Sequence, residues 1–424
     1  MKQTRRLGLG IGIVVCAIVA CSSDEDGGGT GGTGGASGGK ASGGSSGSTG
    51  GSIASGGASG SGGSSGAIGG SAGTTGSGGS GGSAGGGGSA GAAASGGTSG
   101  SAGASTGGTG GTPDSGPPCT LTSSGAISTN QDGQVIELLR IESQNGTAIE
   151  VTHDNVVIRN VEIRHSGGAG IEINGANDVV IENVSIEHTG ALASGANDSD
   201  DRVNIVGYQS PRLHVTNARL TRGSSGIYLI ESADSRLSFI EGHDFRGPFP
   251  RGQLVQWDKS NGGRLEDFSV VNPPGSWPED NVNVYQSTGA EIRRGLIDGN
   301  NSPSGVGVIF DGGPSTGVVE DVDAIRMGNG CFSDYDGGEG VVFRRTRCRE
   351  NICTSQDGRG VPLSNALMWS GNPARTELRI EQSQYFDACN PGNIVWPEDS
   401  FAVVEVEEVD FTLRAPITAS FCWE

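Results

Sequence analysis

Between residues 134 and 386 apolar side chains recur at every second position in short runs, each bounded by glycine, asparagine or a polar pair. The clearest pair is "DNVVIRNVEI" (154–163) and "NDVVIENVSI" (177–186). Both carry the skeleton V-V-I-x-N-V-x-I, and their asparagines, Asn160 and Asn183, lie 23 residues apart. After a half-pattern, "QVIELLRI" (134–141), weaker copies follow as "LHVTNARL" (213–220), "GRLEDFSV" (263–270), "AEIRRGLI" (290–297), "GVVEDVDAI" (317–325), "VVFRRTRC" (341–348) and "LRIEQSQYF" (378–386). Between them lies a second set of shorter runs, among them "GIEI" (170–173), "GIYLI" (226–230), "LVQWD" (254–258), "NVNVY" (281–285), "GVGVIF" (305–310), "NGCFSD" (329–334) and "ALMWS" (366–370). Period two is the periodicity of strands, and no stretch sustains the 3.6-residue period of a helix. An interval of about 23 residues holds three short strands and three bends, one turn of a parallel β-solenoid, with turns stacked about 4.8 Å apart over continuous apolar ladders. Asn160, Asn183 and Asn217 each fall at a bend, where an inward-pointing amide can bond to the one below it.

The V-x-I-x-N-x-x-I units and G-I-x-I strands resemble the right-handed parallel β-helix superfamily, the fold of pectate lyases and polygalacturonases. The resemblance covers roughly residues 125–415 and implies an all-β chain, a single-stranded right-handed parallel β-helix (solenoid) of about ten coils. A sandwich would need more hairpin turns, and a propeller blade a period near 40 to 45 residues.

The chain ends do not share this pattern. Lys2, Arg5 and Arg6 precede a short apolar run that closes on "IVAC", the layout of a secretion signal. "IVAC" resembles a bacterial lipobox, which implies a signal segment at 1–21, acylation of Cys21, and a membrane contact made through that lipid anchor. Ser22 after the cysteine resembles outer-membrane sorting, so an exported, outer-membrane-anchored lipoprotein at the cell surface or in the periplasm is expected. Residues 22–118 are nearly all Gly, Ser, Ala and Thr and hold more than half of the 80 glycines. Such a segment has little to bury against its ordering entropy and reads as a disordered tether, with a root-mean-square reach of roughly 50–60 Å. The folded domain is then 119–424.

The first 118 residues carry four basic and four acidic side chains, so the whole formal net charge of −20 falls on this domain. Phosphate binding needs a basic footprint, which removes nucleic acid as a partner. The domain's six cysteines, Cys119, Cys331, Cys348, Cys353, Cys389 and Cys422, form an even set in an exported chain and read as disulfides with 15 open connectivities. Five of them fall in the last third, so bridges there would staple the C-terminal end. No C-x-x-C pair accompanies them and the five histidines are scattered, so metal binding by these thiols is not expected.

In a solenoid, outward side chains of equivalent strands form columns, and a site is assembled across turns. Taking Val255 and Trp257, Val282 and Val284, and Val306 and Val308 as inward leaves Gln256, Asp258, Asn283 and Tyr285 outward, continuing toward Asp311, Asp334 and Asp336. The loop "GHDFRGPFPRGQ" (242–253) brings His243, Asp244, Arg246 and Arg251 to the edge of the same face, where Lys259, the domain's single lysine, and Phe249 and Trp277 also lie. Carboxylates with aromatic platforms suit a sugar, because glycosidic cleavage needs an acid and a base and a pyranose has an apolar face. Asp258 and Asp334 are the candidate acid–base pair, with His243 or Tyr285 polarising a leaving oxygen. Arg246, Arg251, Gln256, Lys259, Asn283, Asp311 and Trp277 are candidate substrate contacts. Of the N-T-D, D-D and G-H-G elements of polygalacturonases only fragments match, "SDDR" (199–202) and "GHDF" (242–245), and they are too far apart for adjacent turns. Asp258, Glu279 and Asp280 with Arg251 or Arg293 imitate a pectate-lyase calcium site without its motif, so calcium is the one cofactor these carboxylates could hold. The acidic run "GANDSDD" (195–201) reads as a solvated loop or a calcium loop. The composite expectation is a monomeric, lipid-anchored β-helix that engages polysaccharide as a lyase or glycoside hydrolase, with a non-catalytic adhesin or envelope protein as the alternative.

Overall fold

The computed structural model describes residues 117–191, 202–247, 251–274, 276, 278–300, 305–353, 367–371 and 376–424. The expected signal segment with Cys21, the tether, the acidic run 195–201, Phe249 and Trp277 lie outside the described residues.

Successive strands alternate between two parallel sheets. Long strands such as Val157–His165, Val180–His188 and Arg264–Val271 build a 13-stranded sheet, and short strands such as Ile227–Ile230, Val255–Asp258, Val282–Tyr285 and Val308–Asp311 build an 11-stranded one. Each strand pairs with the equivalent strand of the coil below and the coil above. The one helical turn among the described residues is Glu398–Ser400. Register is kept from coil to coil: Val157 pairs with Val180, and Asn160 and Asn183 occupy equivalent points. Inside, like stacks on like. The column Ile158, Ile181, Val215, Leu237, Leu265, Ile292, Val319, Phe343 and Ile380 runs up the long sheet, and Ile171, Ile205, Ile227, Val255, Val282, Val308, Phe332 and Met368 up the narrow one, all buried. Two such ladders facing each other form one continuous apolar core.

The bend within each long strand is a single left-handed residue. Leu138, Asn160, Asn183, Asn217, Phe239, Asp267, Arg294, Asp321, Arg345 and Gln382 all have φ between 49° and 57°. Asparagine tolerates this conformation best among non-glycine residues. Where three asparagines stack, their amides join: Asn183 Nδ2 donates to Asn160 Oδ1 at 3.2 Å, and Asn217 Nδ2 to Asn183 Oδ1 at 2.8 Å. The ladder lies on the outside of the bend, not the inside as the sequence suggests. Its column continues as the ion pairs Asp267–Arg294 and Asp321–Arg345, charged groups that belong on the solvent side. A second ladder escaped the sequence reading. Ser210, Ser232, Ser260, Ser287 and Ser315 follow the narrow strands, and the backbone N–H of each of the first four donates to the hydroxyl of the next, at 2.8 to 3.2 Å.

The last residues form a strap rather than a coil. From Val409, whose N–H donates to Tyr385 O, the chain descends across the bends of the long sheet. Phe411 O accepts from Arg349, the Arg414 N–H donates to Asp323, Ile417 O accepts from Ser269, the Ala419 N–H donates to Glu241, and Ser420 O accepts from Asn217. Phe411 and Phe421 are buried under the guanidinium groups of Arg347 and Arg219. Cys422 then bridges to Cys119, while Cys331–Cys348 and Cys353–Cys389 close shorter loops. Two bridges therefore staple the C-terminal coils as expected, and the third ties the two ends of the domain. Three disulfides suit an exported protein.

The Cys119–Cys422 bridge closes a separation of 303 residues, so Cys422→Ser is expected to cost about 2–5 kcal/mol. Urea denaturation followed by far-UV circular dichroism should show a lower midpoint, with trypsin cutting first within 409–424. An unchanged midpoint would mean that the strap contacts alone hold the ends.

Candidate functional site

On the outer side of the narrow sheet two columns run parallel to the helix axis. The first is Val206, Tyr228, Gln256, Asn283, Ile309, Ser333, Trp369 and Trp396, one residue per coil. The second is Tyr208, Ile230, Asp258, Tyr285 and Asp311. Although outward, the middle of the first column is buried, from Gln256 at 8% exposure to Asn283 at 4% and Ser333 at 0%.

Carboxylates flank this floor. Asp280, buried at the start of the strand Val282–Tyr285, accepts the Val306 N–H and the Asn283 amide, each at 3.0 Å. Burial pushes its carboxyl up to about 7 against those two hydrogen bonds, with Asp311 adding to the rise. Burial raises Glu279 well above the usual range, reinforced by Asp280 and Asp311 and opposed by Arg251. Asp311 is raised by burial, resisted by the Gly312 N–H at 2.6 Å. Asp258 is raised by burial, while Lys259, the Tyr228 hydroxyl at 3.3 Å and Arg251 pull it back. Burial sends the Tyr228 phenol up to about 12, and the Arg251 guanidinium stacks 4.7 Å from its ring centre. Among the described residues, the cations acting on these carboxylates are Arg251 and Lys259.

Five polar atoms of this face are buried without a hydrogen-bond partner in the protein: Gln256 Oε1, Asp258 Oδ1, Asn283 Oδ1, Ser333 Oγ and Trp369 Nε1. Each such atom costs about 1–3 kcal/mol when left unpaired, and native proteins keep few of them. Others lie elsewhere, among them Asn217 Oδ1 and Arg293 Nε on the long sheet, but these five are grouped on two adjacent columns.

Sequence-derived candidates divide accordingly. Gln256, Asn283, Asp258, Tyr285, Asp311, Arg251 and Lys259 are brought together here. Asp334 is not. It stands in register with Phe310 on the core side, fully buried, and accepts the Gly337 N–H at 2.7 Å, while Ser333 takes the outward place. Val306, expected inward, packs instead with Ile309 and Trp369 on the outside. His243 ends the long strand Arg236–His243 and turns to Glu241 at 2.7 Å, toward the strap. Arg246 is held by Asp244 beside it. Arg293 lies on the long sheet, paired with Glu291 and Glu320. Trp277 lies outside the described residues. Among the described residues no three His, Cys, Asp or Glu side chains converge at metal-binding spacing. The sequence reading passed over Tyr228, Ser333 and Trp369, although "GIYLI" and "ALMWS" were recognisable strands whose parity aligns them with Gln256.

A sequence profile described as the right handed beta helix region matches residues 124–238. The domain is a right-handed parallel β-helix. A search of curated proteins returned no match. Among solved structures, the β-helix is similar to the catalytic domain of a GH87 alpha-1,3-glucanase in complex with tetrasaccharides, at 12% identity and a TM-score of 0.35, covering 67% of this chain and 64% of that one. It is also similar to an endo-xylogalacturonan hydrolase from Aspergillus tubingensis (11% identity, TM-score 0.36, 69% of this chain and 88% of that one). A third is an alginate lyase from a Paenibacillus species (12%, 0.35, 66% and 99%). The chain thus spans just under two thirds of the glucanase domain it matches.

The Asp280 carboxyl, moved from 3.8 to about 7, sets a pH dependence. Between about pH 4 and pH 7 the folded β-helix keeps a proton that the unfolded chain releases, so this contribution is full below that window and lost as pH rises through 7. Asp178 and Glu381, held low by hydrogen bonds from Arg212 and Arg344, titrate below the window. The unfolding free energy from urea titrations should fall from pH 5 to pH 8 by an upper bound of about 3 kcal/mol from this group, and Asp280→Asn should reduce the slope, Glu279 keeping its own share. Equal slopes in both proteins would remove Asp280 as the cause.

Proposed function

We propose that the outer face of the narrow sheet, from Tyr228 to Trp369, binds a polysaccharide and hydrolyses it, with Asp258 and Asp311 as the acid–base pair. The observation that carries this is the row of buried, unpartnered polar atoms beside carboxylates whose protons are held unusually tightly. A sugar chain offers hydroxyl donors and acceptors, repeated along its length as the coils repeat, to the polar side chains that line this face.

Asp258 and Asp311 stand two coils apart with Tyr285 between them. Two steps of about 4.8 Å put their backbones roughly 9–10 Å apart, compatible with the ~6.5–9.5 Å between carboxyl groups that admits a water on the far side of the ring and inverts the anomeric centre. Environment separates their roles. Asp258 has Lys259 and Arg251 beside it and keeps its charge more readily, which suits the base that draws a proton from water. Asp311 is raised by burial and by Asp336, and no cation opposes the rise, which suits the acid that protonates the leaving oxygen. Tyr285, between them, is placed to contact the sugar at the point of cleavage. In this reading Cys21 is acylated, and the Gly/Ser-rich segment presents the β-helix at the cell surface.

Reducing-end release from a panel of polysaccharides tests the proposal. Asp258→Asn and Asp311→Asn should each lower it by about 10²–10⁴-fold, the usual worth of a positioned acid or base. Retention of a glycan with no cleavage by the wild type would leave the face a binding surface and end the hydrolase reading.

A further inference from the structure

The first column of the narrow sheet does not stop at the carboxylates. Above Ser333 it continues as Trp369 and then Trp396, in register on adjacent coils. The Trp369 indole rests on Val306 and Ile309 and is itself buried, with its Nε1 unpartnered. Tyr335 meets it edge-on, with ring centres 5.8 Å apart. Tyr335 and Trp396 are among the few large apolar side chains that the β-helix leaves in solvent, at 41% and 45% exposure. An apolar residue exposed once is ordinary. Two aromatics exposed at one place, flanking a buried indole and continuous with a row of unpartnered polar groups, form a platform with a direction.

The geometry points to a distal subsite at Tyr335 and Trp396, seated beside the buried Trp369, that stacks the apolar face of a neutral hexopyranose, so that the polysaccharide lies along the helix axis. This rests on the binding face proposed above and names its substrate class. Three features select the occupant. The coil spacing of about 4.8 Å is comparable to the length of one pyranose unit, so an axial chain meets equivalent side chains coil after coil. The exposed rings of Tyr335 and Trp396 offer flat apolar surface. Asp258, Glu279, Asp280 and Asp311 crowd the adjoining face, where Arg251 and Lys259 are the cations that act on them. A uronate or sulfated chain would add negative charge to that field.

Affinity electrophoresis of the full chain in gels carrying a soluble β-glucan, an α-glucan, a mannan, a galactan, a xylan, polygalacturonate or alginate tests this. Retardation is expected by at least one neutral polymer and by neither acidic one. Trp396→Ala and Tyr335→Ala should each weaken it by about tenfold or more, Trp396→Phe should recover most of the loss, and short oligosaccharides should be bound equally by all variants. Because both rings are half exposed, their truncation leaves the core filled, and circular dichroism checks that it does. Unchanged retardation of Trp396→Ala and Tyr335→Ala, retardation by the acidic polymers alone, or none by any gel would overturn the subsite. If the alanine variants lose retardation while no protein cleaves a glycan, the subsite stands and the hydrolase reading falls. If Asp258→Asn abolishes cleavage while the ring variants bind as wild type, the reverse holds.

Discussion

Every coil of this β-helix satisfies its backbone through the coils below and above it, and that in-register pairing is the constraint from which the rest follows. A parallel ladder about 4.8 Å per step cannot slip by one residue without turning its whole apolar column outward. The left-handed residue at the bend of each long strand keeps the two arms of that strand in register. Its identity varies from Asn160 to Phe239 to Arg345 while its φ does not. The bend is therefore imposed by the stack, and asparagine is the local optimum rather than the cause. A ladder built this way has one weakness, its open ends, where unpaired donors and acceptors remain. The strap runs across the coils and joins the C-terminal residues to the first coil through Cys422 and Cys119, whose N–H also donates to Cys422 O.

The same stacking explains why the fold was legible and parts of the site were not. "DNVVIRNVEI" and "NDVVIENVSI" announce the coil because an apolar column demands the same residue classes at the same phase, so the parallel pairing, the core columns and the Asn160–Asn183 amide bond could be anticipated. Gln256 with Asn283, and Asp258 with Tyr285, followed from parity within clear strands. Asp334 failed because "CFSD" has polar residues at both outward and inward positions. Nothing in the alternation says that Phe332, not Cys331, pairs with Val308, and one residue of phase sends the carboxylate into the core. The serine ladder was written in "YQS", "IES", "DKS" and "YQS", but a hydroxyl buried against backbone leaves no mark in an apolar pattern. The strap has no period at all. Its residues are chosen by the different coils they cross.

Left unpaired, the polar groups of the narrow face are costs to folding that are gathered in one place. Five unpartnered buried atoms at about 1–3 kcal/mol each are comparable with the whole net stability of a domain, about 5–15 kcal/mol. They persist because the core columns and three disulfides over-determine the coil beneath them. The face is thus organised by the coil itself, and in the proposed reading that preorganisation lowers the cost of binding.

Charge patterning separates this face from its opposite. In a parallel in-register stack a charged residue meets its own equivalent one coil away, so repetition of one sign would be repulsive. Along several columns of the long sheet the sign alternates from coil to coil, although Arg236 stands beside Arg264: Glu137 against Arg159, Arg140 against Glu162, Arg264 against Glu291, and Arg293, Glu320 and Arg344 in succession up to Glu381. Each exposed pair is worth only about 0–1 kcal/mol, yet together they let an acidic chain stack without self-repulsion. The narrow face breaks the rule. Asp258, Glu279, Asp280 and Asp311 fall on neighbouring coils with little opposite charge between them, and all four are raised by burial. One sheet thus alternates signs along several columns, and the other gathers carboxylates whose protons burial holds, the kind of perturbed group that the proposed acid–base pair requires.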